Sequence, residues 1–185
     1  NRLKDVVKLI GELRNNKTFF QNEKHLNPND KTALYYDMGY YNFIAGHYKE
    51  AAKLFHTIIN DFPIDVKSDF HCFSRIQLLL VYFESGKSDL LEYTIKSTHK
   101  YLKKNHQLYR VENIILGFLK KLIKIDGATK QMRVEYVKLQ AELEKIFKNP
   151  YERNALNYFD FLSWIESKTN NLSFYSSIRR NRTGE

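Results

Sequence analysis

The chain has 185 residues, 43% hydrophobic and 28% charged, which is long enough to bury a core and ordinary for a soluble fold. A single cysteine, Cys72, excludes an internal disulfide framework and fits a reducing, cytoplasmic setting. No apolar run nears the ~18 residues of a membrane span, and the formal charge of +9 leaves anionic partners open.

The opening NRLKDVVKLIGEL mixes charged with apolar residues and is no signal peptide; starting at Asn1 without Met, the chain is expected to be a fragment of a longer protein. Leu3, Val6, Val7, Ile10 and Leu13 share one helical face, and Asn15-Asn16 suits its end. Residues 17–30 carry no clear period, but Asn27-Pro28-Asn29-Asp30 is a helix-start signal. The segment 31–45 reads as a helix, with the turn Gly46-His47-Tyr48 behind it. A second helix over 49–61 spaces Ala52, Phe55 and Ile59 at helical intervals, with Ala51 and Ile58 beside them, and Pro63 closes the unit.

Residues 31–63 resemble a tetratricopeptide repeat. Tyr35, Met38 and Gly39 match the pattern of its first helix, Gly46 its turn, and Tyr48, Ala51, Phe55 and Pro63 the remainder. The small residues Gly39 and Ala51 let two helices approach closely. The match departs at Asn42, where the family usually has an aromatic, and at Ile58, where it usually has Ala. The resemblance implies an all-α, right-handed solenoid of antiparallel helix pairs, with a concave groove that binds a protein or peptide. It implies no general catalytic activity. It would turn Tyr36, Tyr40 and Phe43 toward that groove, and Phe83, Phe118 and Lys121 are further candidates for its lining; the plainer alternative is that these aromatics pack on neighbouring helices.

Beyond Pro63, residues 65–85 form a helix apolar over a broad arc, with Phe73, Ile76, Leu79, Leu80 and Phe83, and thus buried on several sides. Gly86 repeats the turn, and Ser88-Asp89 are expected to cap a helix to 104 whose inner face is Leu91, Ile95, Thr98 and Leu102. A helix over 107–125 turns Val111, Ile114, Ile115, Phe118 and Leu122 inward, and Gly127 marks a third turn. Gly46, Gly86 and Gly127 stand 40 and 41 residues apart, a longer period than the 34 residues usual for the family. A helix over 129–148 follows, and Asn149-Pro150 starts a last helix to 168 with Ala155, Phe159, Leu162 and Ile165 inward and Trp164 offset. Residues 1–168 thus read as one helical-repeat domain, and 169–185 as a polar tail, mobile beyond Tyr175.

The charge is uneven. Between Lys96 and Arg133 there are ten basic residues against only Glu112 and Asp126. Lys96, Lys100, Lys103 and Lys104, with Lys120 and Lys124, form a candidate basic patch for nucleic acid or an acidic partner, against the alternative of a solvated outer face. Chemistry is otherwise absent from the pattern. The six histidines show no metal-ligand spacing, no phosphate loop or nucleophile elbow occurs, and neither metal nor cofactor is expected. The reading is a non-catalytic protein-interaction module, with nucleic-acid binding through the basic face as one alternative. The other is a purely structural region whose groove is filled by its own last helix around Trp164.

Overall fold

A computed structural model describes residues 5, 8–12, 25–63, 68–105, 109–125 and 129–183. Among these residues the chain is all-helical, with no strand. The helices group into two compact units, Asn1–Gly86 and Lys87–Glu185.

In the first unit, α1 spans Pro28–Ile44. Asn27 caps it as the sequence indicates: its Oδ1 accepts the Asp30 N–H at 2.9 Å, and Pro28 fills the first helical position. The helix closes on Gly46, whose φ of +79° places it in the left-handed region. Gly46 N–H donates to the Phe43 carbonyl at 3.0 Å and His47 N–H to the Asn42 carbonyl at 2.8 Å, the paired bonds of a Schellman ending. Buried Asn42, where an aromatic would be usual, is accommodated by donating to the Met38 carbonyl at 2.7 Å.

The turn brings α2, Tyr48–Asp61, back against α1. Here Gly39 decides the fit: a Cβ at this position would lie 2.7 Å from Phe55 Cε1, inside van der Waals contact. Ala51, Phe55 and Ile58 are fully buried along the same face. α3, Ser68–Glu84, packs on both earlier helices. From His71 to Tyr82 every side chain except Arg75 is buried, as its broad apolar arc suggests. Residues 8–12 are helical, and Ile10 joins Met38 and Leu54; the other members of the face read there, Leu3, Val6, Val7 and Leu13, lie outside the described residues.

In the second unit, α4 (Ser88–Lys104) buries Leu91, Ile95, Thr98 and Leu102, the four expected. Its cap is Lys87, which makes no side-chain bond, rather than Ser88-Asp89; Asp89 in the first turn and Lys103 and Lys104 in the last instead complement the helix dipole. α5, Arg110–Ile123, packs on α4 and on α6, Thr129–Ile146, while the expected turn at Gly127 lies outside the described residues.

The helix expected over 150–168 is broken. Asn149 caps a single turn, α7 (Pro150–Arg153), which runs into a 3-10 helix, Asn154–Asn157. The chain restarts as α8, Phe161–Thr169, with Asp160 Oδ1 accepting the Ser163 N–H at 3.0 Å. Phe159 and Phe161, both buried with ring centroids 4.8 Å apart, anchor the break. The restart sets a new helical phase, and so Trp164 is central rather than offset. Its ring lies within 6.0 to 6.4 Å of Tyr136, Phe118 and Phe159. α8 ends on Asn171 at φ +54°. The tail read as polar and mobile carries a helix, α9 (Phe174–Thr183), held by buried Ser177 and Ile178 and by the Phe174 ring 5.4 Å from Phe159.

Candidate functional site

The second unit contains 19 of the 30 basic and 11 of the 21 acidic residues, and so nearly all of the excess charge. Its basic face follows from the phase of α4. Once Leu91, Ile95 and Leu102 turn inward, Lys96, Lys100, Lys103 and Lys104 must turn out, and all four are exposed. Lys120 and Lys124, at the end of the packed neighbour α5, are exposed too. Lys96 donates to Glu92 at 2.8 Å and holds that carboxyl below the usual carboxylate range. Lys124 adds to the same pull, so the two helices' charges meet at Glu92. Among the described residues no carboxylate lies within 4.0 Å of the Lys100, Lys103, Lys104, Lys120 or Lys124 ammonium.

The groove residues fall differently. Tyr36, 2% exposed, packs on Phe55 and Phe70 and accepts a hydrogen bond from the Gln77 amide; burial pushes its hydroxyl pKa well up. Phe43, 3% exposed, packs on Tyr48. Phe118, 5% exposed, lies against Tyr136 and Trp164. These three are packed interior, since each faces a helix that covers it. Tyr40 and Phe83 are half-buried, and of the six only Lys121 is exposed. Phe118 and Lys121 do come together, at a shallow groove of about 280 Å³ between α5 and α6, floored in part by Gly117. On its rim Glu135 accepts from Lys138 at 2.6 Å and lies 3.7 Å from Lys121, and Lys138 foremost lowers the carboxyl pKa.

A larger open cleft of about 750 Å³ lies between α6, α8 and the end of α9. Two of its three acids are committed to the fold: Asp160 caps α8, and Glu166 accepts from Asn181 at 2.8 Å and pairs with Arg180 at 3.5 Å; the third, Glu144, accepts from Gln140 on its own helix at 2.9 Å. In the first unit His56 Nε2 lies 2.8 Å from the Tyr82 hydroxyl and His71 Nε2 lies 3.1 Å from the Pro63 carbonyl, with burial lowering both imidazole pKa values. Among the described residues no three His, Cys, Asp or Glu side chains gather as a metal site would require, and no helix is long and apolar enough to cross a membrane.

One exposed residue was passed over in the sequence. Tyr93, 73% exposed, stands on the outer line of α4 with Lys100 and Lys104. The spacing was available, because seven and eleven residues both return to nearly the same side of a helix.

Comparison with known protein families, characterised proteins and solved structures found no match.

Proposed function

We propose that this chain is a non-catalytic, tetratricopeptide-like helical-repeat module that binds an anionic partner through the basic face of α4 and the end of α5. The observation that carries this reading is the set of five exposed lysines with no carboxylate in ion-pair range among the described residues. A solvated face kept only for solubility gains from interspersed charges of both signs; on this face six exposed lysines outnumber the exposed acids Asp89 and Glu92. The repeat reading is supported by the helical hairpin at Gly46, with Gly39 against Phe55, and by a second glycine turn at Gly86, φ +67°. The burial of Tyr36, Phe43 and Phe118 supports the lysines over an aromatic groove as the contact surface.

The test compares two charge-matched triple variants on an immobilised polyanion such as heparin. Reversal of Lys100, Lys103 and Lys104 to Glu is expected to abolish retention at moderate salt. Reversal of the exposed Lys49, Lys53 and Lys145 should leave most of it. Equal loss in both would mean that net charge alone, and no particular face, is responsible.

A further inference from the structure

The basic face contains a feature that charge does not explain. Tyr93 presents its ring to solvent at 73% exposure, with no ring partner among the described residues. Along α4, Tyr93, Lys100 and Lys104 fall on one line, spread over roughly 16 Å at the usual helical rise. Lys96 and Lys103 lie along one side of that line, next to Glu92 where Lys124 approaches, and the exposed Asp89 stands one turn before Tyr93. From this we infer that α4 is a platform for single-stranded nucleic acid, with the lysines following the phosphates and a base stacked on Tyr93. The inference rests on the basic-face reading above and narrows its partner.

Three points favour this occupant. A flat, open aromatic ring on the same helical line as Lys100 and Lys104, which no described carboxylate neutralises, is the combination that sequence-tolerant single-strand binders use, because every base offers a π-face; Lys96, one turn from Tyr93, is held by Glu92. A duplex hides its base faces in the stack, so Tyr93 would have nothing to receive; in a single strand the faces are accessible. The six patch residues are all lysine, with no arginine among them. Lysine is a flexible point charge suited to phosphate and lacks the rigid planar fork with which arginine engages a base edge bidentately. The platform therefore binds with little sequence preference. An acidic protein segment could satisfy the lysines but has no systematic use for the ring.

The test is a fluorescence-anisotropy titration of the whole chain with a labelled thymidylate oligomer of about 12 nucleotides. Tyr93→Ala is expected to weaken binding by about 5- to 100-fold while leaving the salt slope unchanged, and Tyr93→Phe to bind as the native chain does. Lys100→Ala and Lys104→Ala should each reduce the slope by about 0.7. Tyr93→Trp adds a direct readout. The native chain has one tryptophan, Trp164, which is buried, so an exposed new indole should be quenched by the oligomer. Tyr93 is too exposed for these changes to unfold the helix. If Tyr93→Ala binds the oligomer unchanged while the triple lysine reversal abolishes binding, stacking is refuted and the basic face stands. If a polyglutamate peptide binds and the oligomer does not, the nucleic-acid inference falls and the anionic-partner reading survives. If neither binds at low salt, both fall.

Discussion

Two mid-helix glycines sit in opposite surroundings, and alanine at each should change stability in opposite directions. At Gly39 a new Cβ would meet Phe55 Cε1 at 2.7 Å, Cζ at 2.8 Å and Cδ1 at 3.2 Å. Phe55 is fully buried and packed edge-on to Tyr36, so its ring cannot simply swing away. Overpacking of this kind costs about 1–3 kcal/mol, and the better helix propensity of alanine returns about 1. Gly39→Ala should therefore lose about 1 kcal/mol. At Gly117 a Cβ meets nothing within 4 Å, so Gly117→Ala should gain up to about 1 kcal/mol from propensity alone. Thermal unfolding followed by far-UV circular dichroism should show shifts of about 2–4 °C in opposite directions. Trimming the obstacle provides a further check: in a double-mutant cycle, Phe55→Leu should cost less in the Gly39→Ala background than in the native chain. A Gly39→Ala protein as stable as Gly117→Ala, or strict additivity with Phe55→Leu, would refute the close approach of α1 and α2.

Other perturbations test separate contacts. Tyr36→Phe strands the buried Gln77 amide and should cost about 1–3 kcal/mol in urea unfolding, part of which Gln77→Leu recovers in the same background. Asp160→Ala removes the cap that restarts α8 and should cost about 1 kcal/mol, whereas Asp160→Asn retains most of the stability. Burial holds the His56 and His71 imidazoles below the usual histidine range, so the unfolded chain takes up protons first. Their contribution is complete above about pH 6.5 and is lost as the pH falls toward the folded values. The melting temperature should begin to drop as the pH falls below about 6.5, and His71→Gln, which keeps a donor for the Pro63 carbonyl, should reduce that drop.

The parts legible in the sequence are those that local chemistry fixes. Asn27-Pro28 and Asn149-Pro150 start helices because an amide oxygen and a preset φ act within one turn. Gly46 and Gly86 end them because both adopt positive φ. The inner face of α4 was readable from its period, and with it the outward turn of the lysines. The break at Phe159-Asp160-Phe161 was not readable: it contains neither Gly nor Pro, and an isolated Asp looks like a surface residue until its oxygen is seen on Ser163 N–H. The groove aromatics were ambiguous for a different reason. A stripe of aromatics on a helix has the same spacing whether it faces a ligand or another helix. Only the packing of Phe70 on Tyr36, or of Trp164 on Phe118, decides between them, and both contacts join distant parts of the chain. Tyr93 was missed because attention to charge alone passes over the uncharged member of the same stripe.

Binding through the lysine face is tested most directly by the salt dependence of binding to two defined probes, a labelled thymidylate oligomer and a polyglutamate peptide, at rising sodium chloride. The native chain is expected to bind at least one, with log affinity falling linearly in log salt. The Lys100, Lys103 and Lys104 reversal should remove that binding, and the charge-matched reversal of Lys49, Lys53 and Lys145 should preserve it. Affinity that is independent of salt, or that both reversals reduce equally, would contradict the account.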